Sequence, residues 1–156
     1  LARVNMASEM GTPEADKLLE RFRKDFGVPA HAILLFDICR GIELVYAMER
    51  AAELLADSQL YQATDPSVPF AEQDGEGYGL VEAPRGPLIH YFKIRDRLIE
   101  KAEFIIPTVH NTMAIEKALR VAAERYVAGD TINMELEKAV GRVVRAFDPC
   151  IACATH

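Results

Sequence analysis

The apolar positions of this chain keep two periods. From residue 12 the spacing is helical: Thr12-Pro13-Glu14 supplies a capping hydroxyl, a proline at the first helical position and an acid at the positive dipole end. Leu18, Leu19, Phe22 and Phe26 mark one buried face, and Gly27 stops the helix. A longer helix is expected over 30–57, with Leu44, Met48, Ala51 and Leu55 at helical intervals and small alanines suited to packing against another helix. Residues 58–79 carry Pro66, Pro69, Gly75, Gly77 and Gly79 among polar neighbours and read as irregular.

The period then changes to two. Leu88, His90, Phe92 and Ile94 alternate with Ile89, Tyr91 and Lys93, Arg95-Asp96-Arg97 turns the chain, and 98–106 returns as a second strand. Antiparallel pairing brings the outer ends of that hairpin, Pro84-Arg85 and Pro107-Thr108, together. Helices are expected over 112–127, ending at Gly129, and over 133–147, where Asp148-Pro149 breaks the pattern. The fold class is mainly α, a helical bundle with a small antiparallel β-hairpin, and 156 residues with half their positions apolar suffice for a single domain.

Charge narrows the function classes. The formal net charge is −6, and basic residues are interspersed with acids, as in Glu20-Arg21-Phe22-Arg23-Lys24-Asp25, so nucleic acid is not an expected partner. The longest apolar stretch is interrupted by Asp37, Arg40 and Glu43, which argues against a membrane span. Three cysteines, two of them packed at one end, do not make a secreted disulfide framework, and a reducing, cytoplasmic location is expected.

The most specific chemistry lies in Asp148-Pro149-Cys150-Ile151-Ala152-Cys153-Ala154-Thr155-His156. Two thiols separated by two residues converge on one side of a turn, which suits a shared metal ion, a redox disulfide or part of a structural zinc site. Cys39 stands alone in a helical pattern and reads as a small buried apolar residue. His31 and His110 receive no metal assignment, His90 reads as a strand histidine satisfied by hydrogen bonds, and Asn111 as a helix entry.

The whole tail resembles the C-terminal Asp-Pro-Cys-x-x-Cys-x-x-His signature of nickel-iron hydrogenase large subunits. Two further stretches are similar to that family: Glu82-Ala83-Pro84-Arg85-Gly86 and Ile106-Pro107-Thr108-Val109-His110-Asn111. The resemblance implies reversible heterolytic cleavage of H2 at a Ni-Fe centre carrying CN and CO on iron. Cys150 is then a terminal nickel ligand and the base that takes the proton, Cys153 a bridge between nickel and iron, and His156 a ligand of Mg2+ or another structural metal. Arg85 stands over the reacting position, with Pro84, Thr108 and Asp148 around it: Thr108 donates to a cyanide and Asp148 holds Arg85.

The family also uses an N-terminal cysteine pair that this sequence lacks. The chain is therefore expected to be the C-terminal part of a large subunit, an expectation that the Leu1-Ala2-Arg3-Val4-Asn5 start and an ending of the processed type share. Its implied partners are the remaining large-subunit polypeptide and a small subunit holding the iron-sulfur clusters, in a soluble multisubunit enzyme linked to a heterodisulfide, deazaflavin or nicotinamide acceptor. The alternatives are a hydrogenase-like structural subunit of a redox complex without a functional metal site, and a thiol-disulfide protein.

Overall fold

The computed structural model describes residues 1–64, 67, 69–127, 129 and 132–155. The chain divides into two compact units, Leu1–Pro66 and Ser67–His156.

The first unit holds helices α1 (Ala2–Met6), α2 (Pro13–Phe26) and α3 (Leu35–Ala56), followed by a single 3-10 turn at Ser58–Tyr61. Its core is Val4, Leu19, Phe22, Ala30, Cys39 and Ile42. The buried stripe of α2 is Ala15, Leu19 and Phe22, at i, i+4 and i+7, so Leu18 and Phe26 are not on the buried face expected for them. Cys39 is 1% exposed, and burial pushes its thiol pKa up, as suits an inert apolar side chain.

Two details of this unit depart from the sequence reading. Helix α3 begins at Leu35 rather than at residue 30, because Asn5 clamps Ala30: its Oδ1 accepts the Ala30 N–H at 3.0 Å and its Nδ2 donates to the Ala30 carbonyl at 2.8 Å. Both backbone groups of Ala30 are thus satisfied outside a helix. The Thr12 hydroxyl, in turn, does not cap α2. It donates to Glu49 of α3 at 2.7 Å, and the Glu49 carboxylate accepts the N–H groups of Glu14, at 3.0 Å, and Ala15, at 3.1 Å. A glutamate 35 positions away does the capping that the local pattern assigns to a hydroxyl.

This cap makes a pH-dependent prediction. The Thr12 hydroxyl first, and the two backbone N–H groups after it, hold the Glu49 carboxyl below the usual glutamate range against the opposing effect of burial. A depressed folded-state pKa contributes stability above the unfolded value of about 4.3, and that contribution is lost as the pH falls through the folded value. Glu49→Ala is therefore expected to lower stability at neutral pH, with the gap from wild type closing in acid; chemical denaturation at several pH values checks this. A gap of constant size would show that the carboxylate charge is not what caps α2.

The other apolar face of α3 is uncovered. Leu44, Met48 and Leu55 are 62%, 66% and 60% exposed, and among the described residues of this unit no helix covers the stripe they form.

The second unit opens with a three-stranded antiparallel meander in the order β1 (Gly75–Ala83), β2 (Gly86–Arg95), β3 (Leu98–Ile105). Strand β1 replaces part of the irregular segment expected over 58–79. It carries no apolar alternation, since Gly75, Gly77 and Gly79 occupy one face, and almost all of it is exposed. Cross-strand contacts support it: the Tyr78 and Tyr91 rings lie 4.6 Å apart, and the Tyr91 hydroxyl donates to Glu76 at 2.7 Å. That hydrogen bond pushes the Tyr91 pKa up to about 12.

Pairing of Ala83 with Gly86 makes Pro84-Arg85 a two-residue turn between β1 and β2, not the lead-in to a first strand. Asp96-Arg97 forms the other tight turn, both residues at positive φ. Beyond β3 come α4 (Pro107–His110), α5 (Thr112–Tyr126), α6 (Met134–Phe147) and α7 (Ile151–Ala154). Asn133 ties α5 to α6: its Oδ1 accepts the Leu136 N–H at 2.9 Å and its Nδ2 donates to the Tyr126 carbonyl at 3.0 Å. The architecture is mainly α with one small antiparallel sheet, as the periodicity predicts, enlarged by a strand.

Candidate metal centre

The site lies within the second unit, where three chain segments end on one another. Asp148 terminates α6 in the left-handed conformation, φ 47° and ψ 57°, while its N–H still bonds the Val144 carbonyl at 2.9 Å. A residue that tolerates this conformation, followed by proline, turns the tail sharply off the helix axis. The tail is then pinned by its backbone: the Cys150 N–H donates to Thr108 Oγ1 at 3.2 Å. Thr108 is 6% exposed, and accepting this bond leaves its hydroxyl proton to donate elsewhere.

Arg85 approaches from the β1–β2 turn. Its Nη2 donates to Asp148 Oδ2 at 2.8 Å and its Nε donates to the Asp148 carbonyl. Asn111 Nδ2 donates to the Arg85 carbonyl at 3.2 Å. With side chains 30% and 55% exposed, the Arg85–Asp148 pair adds about 0.2–1 kcal/mol at most, so its value is geometric. The two contacts hold the planar guanidinium in one orientation.

Of these residues, Arg85, Thr108 and Cys150 face a common cavity of about 250 Å³, lined by Ala83, Arg85, Leu88, His90, Ile106, Pro107, Thr108, Cys150 and Cys153. Its apolar wall comes from Leu88, Ile106 and Pro107, and its polar groups are a guanidinium, an imidazole, a hydroxyl and two sulfurs. The meeting of Pro84-Arg85 with Pro107-Thr108 is realised at this cavity, although through a turn rather than through strand ends. Pro84 itself is exposed, whereas Arg85 reaches inward.

Cys150 and Cys153 converge, with Cα atoms 5.3 Å apart, and their sulfurs are joined as a disulfide. Reduction by two electrons and two protons gives two thiols on one side of a single helical turn, the arrangement a thiolate-bound metal needs. Cys150 is half-buried and Cys153 exposed. The donor set therefore fits a soft metal in kind and in place, and supplies two of the four thiolates that the family pattern implies. Among the described residues no group of three or more His, Cys, Asp or Glu side chains is placed to hold an ion. His156 lies outside the described residues.

The sequence reading has His90 satisfied by hydrogen bonds; its contacts are instead aromatic. Its ring meets Phe104 edge-on at 4.8 Å and Phe92 at 6.1 Å while it lines the cavity. The β2 alternation places it on the same face as Leu88, which is the signal that marks it as a cavity residue. His31 and His110 are exposed.

A protein-family model described as nickel-dependent hydrogenase matches residues 1–156. In Methanococcus voltae, one subunit of the F420-non-reducing hydrogenase vhc is 38% identical to all of this chain, which spans 34% of that protein. The NAD-reducing hydrogenase HoxS subunit beta of Cupriavidus necator is 35% identical, again over the whole chain and 33% of the relative. Among solved structures, that of an NAD+-reducing NiFe hydrogenase in its H2-reduced state superposes with a TM-score of 0.87 at 34% identity, covering 99% of this chain and 34% of the other. The chain thus spans about a third of the length of these relatives.

Proposed function

This chain belongs to the nickel-dependent hydrogenase family, and from that premise we propose that it is the C-terminal part of the catalytic subunit of a nickel-iron hydrogenase. The reaction is the reversible heterolytic cleavage of H2 to protons and electrons. The observation that carries this reading is the convergence of Cys150, Cys153, Arg85 and Thr108 on one cavity.

In the reduced protein Cys150 Sγ and Cys153 Sγ would be the thiolates of this chain that hold the Ni-Fe centre, Cys150 as a nickel ligand and Cys153 as a ligand of both metals. When bound, that centre with its CN and CO ligands supplies the two-electron chemistry that no side chain provides. Cys150 Sγ accepts the proton released from H2. Arg85 sets a permanent positive charge beside the reacting position, where it polarises and orients what enters. Asp148 fixes that guanidinium, and Thr108 fixes the Cys150 backbone while offering its hydroxyl proton to a cyanide. Leu88, Ile106 and Pro107 exclude water from one side. Pro84 shapes the turn that presents Arg85, and His156 takes the Mg2+ or equivalent structural site.

The partners follow from what the chain does not supply. Two further thiolates come from the remaining large-subunit polypeptide. The uncovered stripe of Leu44, Met48 and Leu55 on α3 is apolar surface of the kind that such a polypeptide buries. Electrons leave through iron-sulfur clusters in a small subunit, because Cys39 is buried in a hydrophobic core and Cys150 and Cys153 are committed to the metals. No helix among the described residues is long and apolar enough to cross a membrane, and a cytoplasmic complex is the setting we propose.

Isotope exchange between H2 and D2O, followed by mass spectrometry of the gas over the full-length protein with its partners, tests the activity without any electron acceptor. HD formation that depends on Cys150 is expected. The closure of Cys150 on Cys153 is what one competing reading expects, a thiol-disulfide protein that holds no nickel. That reading predicts no HD above background after full reduction.

A further inference from the structure

Asn111 precedes α5 but gives it no side-chain cap. Its amide reaches a residue 26 positions earlier instead, donating to the Arg85 carbonyl at 3.2 Å. Three residues before it, Thr108 receives the Cys150 N–H. Positions three apart on a helical turn share a side, so one short segment grips both the β1–β2 turn and the cysteine tail. The Arg85 guanidinium closes the circuit by bonding Asp148, two residues before Cys150.

The carbonyl that Asn111 holds belongs to the peptide between Arg85 and Gly86. Gly86 has φ 142°, a conformation open to glycine, so its own sterics restrain that peptide least. A donor on the carbonyl supplies the missing restraint.

Building on the hydrogenase reading, we infer that Asn111 is a positioning residue for Arg85: its side-chain N–H locks the Arg85–Gly86 peptide and so aims the guanidinium at the cavity. It acts through Arg85 and does not touch the reacting atoms. Asn111→Ala removes the donor, and Asn111→Asp removes it at nearly constant size.

The test uses the full complex, with metal content, H2 turnover and the infrared bands of the iron-bound cyanide and carbon monoxide measured together. Both Asn111 variants are expected to keep nickel and iron, to lose roughly 10–100-fold in turnover, and to shift the cyanide bands. In an Arg85→Lys background the added loss from Asn111→Ala is expected to be small, because the two residues act along one route. Wild-type bands and turnover in Asn111→Ala overturn the inference, as does an equally large loss in the Arg85→Lys background. Metal loss in both Asn111 variants, with metal kept in Arg85→Lys, overturns it too by showing a role in holding the fold. A wild-type complex without those bands defeats the hydrogenase reading itself, and the inference falls with it.

Discussion

Cys150→Ala is expected to abolish H2 uptake and metal retention together, while Cys39→Ala leaves both intact. The contrast follows from where the two sulfurs stand. Cys150 lines the cavity, is tethered there through its N–H to Thr108, and converges with Cys153. Removing it takes away the proposed nickel ligand and proton acceptor at once, and no neighbouring side chain outside the cysteine pair offers a soft thiolate. Cys39 sits in a hydrophobic core at 1% exposure, where losing the sulfur leaves a small cavity that costs on the order of 1 kcal/mol. Nickel and iron content, H2 uptake and thermal denaturation of the two variants decide the matter. Equal losses in both would mean that the thiols have been assigned the wrong work.

Arg85→Lys is expected to lower turnover by about 10²–10³-fold, the range typical of removing one preorganised electrostatic group, with metal content and stability nearly unchanged. The native guanidinium makes two directed bonds to Asp148, from Nη2 to the carboxylate and from Nε to the carbonyl. An ammonium group is a single compact charge on a flexible stem and cannot reproduce both contacts while facing the cavity. Stability changes little because the pair is partly exposed to solvent. Turnover against metal content, measured on the same preparation, checks this; near-native turnover would show that charge without orientation suffices.

The four long helices were legible because they carry their own signals, whereas α1, α4 and α7 are too short to show a period and were not anticipated. Asn133 and the Asp148-Pro149 break bracket α6, and Pro13 and Gly27 bracket α2. Non-local contacts explain the departures. Asn5 takes up the backbone of Ala30 and delays α3, and Glu49 replaces Thr12 as the cap of α2; neither partner is visible within a local window. Strand β1 is hidden because glycines mask its alternation, so its stability rests on β2 and on the Tyr78–Tyr91 pair. At the candidate site, the motifs identified Cys150, Cys153, Arg85, Thr108 and Asp148, and the fold brings all five together. Alternation along β2 gives the face of His90 but not its ring contacts with Phe92 and Phe104, and the family-like stretch includes Asn111 without showing that its amide reaches the distant Arg85 carbonyl.

Whether Cys150 and Cys153 hold a nickel-iron pair is tested most directly by elemental analysis of the purified full-length complex, combined with infrared spectroscopy of the same sample. Nickel is expected together with iron, and the cyanide and carbon monoxide stretching bands are expected to vanish along with the nickel in Cys150→Ala. Zinc in place of nickel, or a nickel-free complex in which Cys150 and Cys153 remain closed as a disulfide, would contradict the assignment.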